Sequence, residues 1–171
     1  PFEIQCIEIT ENFQSFAFEG FRLEAFRVNH NVLCYGYSMV VERAGKFQLE
    51  KVLEMGIPKQ YWSKLQRGDV IIDGDRTYTP DMVLGEPRKG LKVTYCTDSR
   101  PTEGIREHAK EADLFICEGM YGEPDKLDKA VGYKHMTMCE AATIAKSANV
   151  RKLWLTHYSP SLPKPEFYME E

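Results

Sequence analysis

LKVTYCTDSRP (residues 91–101), ADLFICEG (112–119) and RKLWLTHYSP (151–160) obey one rule: an apolar run stops at an ionisable residue, first Asp98, then Glu118, then His157. The intervening segments read as helices over about 102–111 and 137–148, so the carboxyl-terminal half has a βαβαβ texture. Strands joined by right-handed helical crossovers run parallel, and their carboxyl ends gather on one sheet edge, where open α/β sheets place their sites. Two acids and a histidine are therefore expected to converge.

Working outward, Pro101 suits the beginning of the first helix. Thr137 followed three residues later by Glu140 has capping-box spacing, and MCEAATIAKSA combines strong helix formers with helical apolar spacing. Upstream, residues 3–9, 14–19, 21–28 and 33–42 have the β-branched, aromatic and alternating character of strands, with Asn12 and Gly20 marking turns. Between about 43 and 90 the chain is polar and broken by Gly56, Pro58, Gly68, Gly74, Pro80, Gly85 and Pro87, with short helical stretches such as FQLEKVLEMG. No internal repeat or low-complexity tract interrupts this pattern.

The 171 residues are 43% apolar and 28% charged, an ordinary globular composition with enough chain for a real core. A net charge of -4 argues against an overall cationic nucleic-acid wrapper, while leaving room for a local basic stripe. Five cysteines form no C-x-x-C pair and are odd in number, so reduced thiols are expected, with Cys96 and Cys117 as small core hydrophobes. No apolar stretch approaches 18 residues and no leader precedes the first strand-like run, which predicts no membrane and a cytoplasmic location. The opening at Pro1, directly into EIQCIEI, reads like a piece of something longer.

Each ionisable candidate has a plain structural alternative. Asp98 sits where a carboxylate can simply accept backbone hydrogens at a helix start, and His157 and His30 lie at strand boundaries where a histidine can serve a turn. His108 lies on what reads as a solvated helix, and His135, just before a helix, suits either an anion contact or the turn itself. Imidazoles and carboxylates are the usual ligands of first-row metals, but no H-x-H or H-x-x-x-H pair is present, so any metal spacing is long-range.

AFRVNHNVLCYGYSMVVE, YCTDSRP, ICEGMYG, KHMTMCEAATIAKSANV and RKLWLTHYSPSL together resemble the carboxyl-terminal half of ribonuclease Z, the transfer-RNA 3′-processing endonuclease of the metallo-β-lactamase superfamily. TDSRP resembles that family's D-T-R-P, KHMT its H-S-T and LTHYS its L-T-H-F-S, over about residues 15–162. The resemblance implies an α/β fold, half of an αββα sandwich with a mixed sheet and covering helices plus an extruded arm. Residues 1–42 and 91–171 would form the half-domain, and 43–90 the inserted substrate-binding arm.

By the same resemblance His30 completes the ligands of one zinc ion, His157 those of a second, and Asp98 bridges both; manganese or iron would suit a similar donor set. The family's first half supplies H-x-H-x-D-H, which is absent, so a missing amino-terminal half is the implied partner and this chain alone is expected to bind metal weakly and be inactive. His135 matches the histidine thought to assist the phosphate or leaving group, with Glu118 placed to orient it. Ser99 and Met136 stand where the family usually has threonine and serine.

The implied activity is zinc-dependent, metal-assisted phosphodiester hydrolysis that removes the 3′ trailer from precursor transfer RNA, in a homodimer. Arg43, Lys46, Lys51, Lys59, Lys64 and Arg67 against Glu50 and Glu54 give residues 43–67 a net charge of +4, suited to phosphate contacts. Tyr61 and Trp62 could stack on bases or pack the arm's own core. Two other classes fit the residues: a related phosphodiesterase acting on cyclic nucleotides or aryl esters without a transfer-RNA arm, and a non-catalytic RNA-binding fragment.

Overall fold

A computed structural model describes residues 3–162 and 164–168. The chain divides into two compact units, Pro1–Val41 with Leu91–Glu171, and Glu42–Gly90.

The larger unit is organised by one six-stranded mixed sheet. Its strands are β1 (Phe13–Phe18), β2 (Phe21–Arg27), β3 (Tyr35–Arg43), β6 (Arg88–Cys96), β7 (Leu114–Glu118) and β8 (Leu153–Thr156), in the spatial order β1-β2-β3-β6-β7-β8. The first three form the antiparallel meander that the alternating sequence predicts, turning at Gly20, whose φ of +86° suits a glycine. β6, β7 and β8 pair in parallel, as strands joined by helices must.

Helices α3 (Glu103–Ala109) and α5 (Met138–Ser147) cover one face of this sheet. Their Ile105, Ala109, Ala141 and Ile144 join Phe26, Cys96, Phe115 and Cys117 in a single buried cluster. Burial excludes both strand cysteines from redox work by raising their thiol pKa values, in accord with their reading as small hydrophobes. Among the described residues of the unit the opposite face carries no such cover: Met39, Leu91, Tyr95 and Trp154, alternating with the inward residues, stay exposed.

Several sequence expectations need correction. Residues 3–9 form no strand, since among the described residues no strand pairs with their backbone; Ile4 and Ile7 are exposed. Pro101 lies outside the first helix, whose N-cap is Thr102, with its hydroxyl accepting the Ile105 N–H. His108 is half-buried rather than solvated: it stacks on Phe26 with ring centroids 4.1 Å apart and lies near Phe13 and Glu24. Helix α4 (Leu127–Tyr133) escaped the reading altogether. The capping box of α5 is present as expected, Thr137 and Glu140 bonding reciprocally.

The smaller unit holds α1 (Leu49–Glu54), α2 (Lys59–Gln66) and the hairpin of β4 (Ile71–Asp73) and β5 (Arg76–Tyr78). Val52, Ile57, Leu65, Tyr78 and Val83 form its core. An antiparallel bridge between Phe47 and Leu84 joins its ends, and there Gly45 is indispensable: a β-carbon would lie 1.9 Å from the Gly85 carbonyl oxygen. Trp62 packs beside this core with Phe47, its indole N–H donating to the Ile57 carbonyl at 2.9 Å. Tyr61 lies against Tyr78 and donates to Asp73. Both aromatic side chains are thus engaged within the unit's own packing.

Candidate active site

The carboxyl ends of β6, β7 and β8 lead to Asp98, Glu118 and His157, and the loop between β2 and β3 brings His30 to the same edge. His135, between α4 and α5, lies at the centre. The rings of His30 and His157 are 5.1 and 5.4 Å from its own, centroid to centroid. Ligand atoms of His30, Asp98 and His135 lie within 4.8 Å of one another, and so do those of Glu118, His135 and His157.

Glu118 anchors the cluster. Its carboxylate is fully buried; one oxygen accepts the Ser99 N–H at 2.7 Å and the other faces His135 Nδ1 at 3.0 Å and His157 Nδ1 at 3.7 Å. Burial pushes its pKa up, opposed by backbone hydrogen bonds from Ser99 and Met136 and by His157. Burial likewise holds the His135 imidazole below its ordinary value, with Asp98 opposing. An ionised Glu118 accepts from Nδ1 of His135, which leaves Nε2 as the nitrogen that can face a ligand.

The backbone is bent to make this arrangement. Asp98 and His157 adopt φ values of +55° and +56°, a left-handed conformation that non-glycine residues visit sparingly, and their side chains approach to 3.7 Å. Thr102 rather than Asp98 caps α3, which removes the plain helix-start role for that carboxylate. Ser99 keeps the loop register despite its departure from the family threonine: its hydroxyl accepts the Asn29 N–H and donates to the Arg100 carbonyl.

Three supporting residues lie outside the set that the sequence alone points to. Arg100 donates to the His135 carbonyl at 2.6 Å and forks onto Glu140, so the capping box of α5 and the loop before α3 share one ion pair. Asn29 bridges to Arg100 through the backbone. Lys134 touches His30 twice. Arg100 stood inside the quoted TDSRP and Lys134 inside KHMT, yet neither partner is close in sequence.

Two imidazoles with a carboxylate match the mixed nitrogen and oxygen donors that divalent first-row metals take. The donor chemistry therefore fits a metal. On the smaller unit, Arg43, Lys46, Lys59, Lys64 and Arg67 are exposed, and Lys51 is half-buried with its ammonium donating to the Asp81 carbonyl. The whole of Glu42–Gly90 contains nine basic and eight acidic residues, so the positive charge is confined to its first half.

Among the described residues, no helix is long and apolar enough to cross a membrane. Ribonuclease Z of Lachnospira eligens is 57% identical over all 171 residues, which cover 56% of that relative; the Agathobacter rectalis protein of the same name is 56% identical with the same coverage. The chain thus spans about half the length of the curated relatives it matches. Among solved structures, the fold resembles human tRNase Z, short form, with TM-score 0.54 and 23% identity over 88% of this chain and 42% of that one. It also resembles a long-form RNase Z from yeast, with TM-score 0.55 and 23% identity over 85% of this chain and 14% of that one. The family model described as the beta-lactamase superfamily domain matches residues 65–158, and to that family this chain belongs.

Proposed function

We propose that this chain is the part of a transfer-RNA 3′-processing endonuclease that supplies His30, Asp98 and His157 as metal ligands and His135 with Glu118 as a proton-handling pair. The observation that carries the reading is the convergence of these five side chains, drawn from five separate stretches of the chain, on one edge of the sheet. Its relatives' common name, ribonuclease Z, supports the substrate class.

Zinc bound by this donor set, or manganese or iron in its place, would polarise the scissile phosphate and make an attacking water more acidic. The residues themselves do the rest. Buried Glu118 holds His135 by Nδ1, while burial favours the neutral ring and the Asp98 charge the protonated one; these opposed effects poise the Nε2 proton for transfer to a leaving oxygen. His30 and His157 flank that ring and close the edge on both sides. The remaining ligands come, in this reading, from an H-x-H-x-D-H segment in the other half of the relatives' length, whose sheet would cover the bare face bearing Met39, Leu91 and Tyr95. The exposed lysines and arginines of the smaller unit would contact the transfer-RNA backbone, and the assembled protein would be a cytoplasmic homodimer.

The test is reconstitution. The chain alone, rinsed with chelator, is expected to retain much less than one zinc and to leave precursor transfer RNA uncut. Added to a half carrying H-x-H-x-D-H, it should cleave at the 3′ trailer, and His30→Ala or Asp98→Asn should abolish that cleavage. Cleavage of a small diester with no processing of the precursor would favour a related phosphodiesterase. Salt-sensitive transfer-RNA binding without cleavage under any complementation would favour a binding fragment.

A further inference from the structure

We infer that Lys134 is a positioning residue for His30, setting the imidazole tautomer that a metal requires; the functional part of this inference rests on the ligand role proposed for His30. Two hydrogen bonds join residues 104 positions apart. Nδ1 of His30 lies 3.1 Å from the Lys134 carbonyl oxygen, and the Lys134 ammonium donates to the His30 carbonyl at 3.3 Å. A carbonyl can only accept, so Nδ1 must carry the proton. In the neutral ring Nε2 is then unprotonated, the state in which imidazole ligates a metal.

The local backbone explains how the carbonyl comes to face His30. Helix α4 ends in a Schellman turn: the Lys134 N–H bonds the Val131 carbonyl, the His135 N–H bonds the Ala130 carbonyl at 2.9 Å, and Lys134 itself is left-handed at φ +59°, ψ +47°. That position normally belongs to glycine, or to asparagine. A lysine there accepts backbone strain, and its ammonium bond to the His30 loop is what it gains in return. The same turn fixes His135, the next residue, so one helix end aligns two of the clustered imidazoles.

The experiment is a long-range proton–nitrogen NMR spectrum of the histidine rings in the full chain, without metal. His30 is expected as the Nδ1–H tautomer. Lys134→Asn, which tolerates the left-handed turn, should preserve it; Lys134→Val, whose branched side chain does not, should give mixed tautomers. Zinc affinity of the complete reconstituted protein should then fall roughly tenfold or more in Lys134→Val, as for other lost partners of ligating histidines. If Lys134→Val does not fold, Lys134→Met decides: loss of the ammonium should shift the His30 ring nitrogens and leave those of His108 unchanged. His30 carrying its proton on Nε2, Asn and Val variants that behave alike, or a Met variant with unmoved His30 resonances would overturn the inference. If His30 shows the expected tautomer and responds to Lys134 but the reconstituted wild type takes up no metal, the clamp stands and the proposed metal role fails instead.

Discussion

Glu118, fully buried, and His135, half-buried, form a carboxylate–imidazole pair 3.0 Å apart, with the second carboxylate oxygen tied to the Ser99 N–H. Because both oxygens are committed, Glu118 cannot rotate away, and the ring it orients is fixed with Nε2 outward. Glu118→Gln keeps the Ser99 bond through its amide oxygen but sets an N–H₂ against Nδ1, reversing the hydrogen-bond direction. The variant is expected to fold with a stability change within about 1.5 kcal/mol. In the reconstituted enzyme its cleavage rate should drop on the order of 10²-fold. Urea unfolding and single-turnover cleavage measure the two effects separately; equal activity would remove Glu118 from the proposed chemistry.

Arg100 bears on the same ring from the other side, through the His135 carbonyl and Glu140. Burial disfavours the Glu140 charge, but hydrogen bonds from Arg100 and Thr137 outweigh it and bring its pKa down. This contribution is present above the ordinary carboxylate range, declines as pH falls below it, and is gone once pH has passed through the lowered pKa of the folded chain, where Glu140 is protonated. Arg100→Met leaves Glu140 largely desolvated and unpaired, at an expected cost of about 2–4 kcal/mol. Arg100→Met combined with Glu140→Leu should be less harmful than the sum of the two changes, and a double-mutant cycle in urea checks that.

How far the sequence foretold this site depends on range. Asp98, Glu118 and His157 were legible because each ends an apolar strand, and parallel pairing then leaves their ends little choice. Asp98 as a helix cap was the reasonable alternative; only the Thr102 side-chain bond excludes it. His30 was carried by resemblance, since its loop meets the others solely through tertiary pairs such as Asn29 with Arg100. α4 went unread because it is short and depends on its Schellman end, and residues 3–9 were misread because strand character is not strand pairing. In the smaller unit Gly74–Asp75 between IID and RTY is a two-residue hairpin signal, legible in the sequence although the surrounding glycines and prolines mask it.

His108 gives the fold a pH dependence independent of the site. Burial between Phe26 and its surroundings lowers its pKa, with Glu24 pulling the other way and Lys92 adding to the decrease. The unfolded chain therefore binds a proton that the folded one refuses just below the ordinary imidazole value of about 6.5. Stability is present above that value and declines as pH falls through it. The urea midpoint should be lower at pH 5 than at pH 7, and His108→Gln should narrow the difference; an unchanged difference would mean the imidazole is solvated after all.

The smaller unit separates packing from recognition. Trp62 is committed to Phe47 and to the Ile57 carbonyl, whereas Lys59, Lys64 and Arg67 on and just beyond α2 are exposed. Trp62→Phe should cost about 1 kcal/mol for the lost hydrogen bond and leave transfer-RNA affinity unchanged. Lys59→Ala, Lys64→Ala and Arg67→Ala should do the opposite, leaving the unfolding midpoint within about 0.5 kcal/mol. Each that contacts a phosphate should reduce the slope of log affinity against log salt by roughly 0.7–0.9. The comparison is made on the reconstituted protein over a series of salt concentrations. If Trp62→Phe weakens binding while the three basic changes leave the slope alone, base stacking rather than charge is how this unit would hold RNA, and the basic stretch is merely solvated surface.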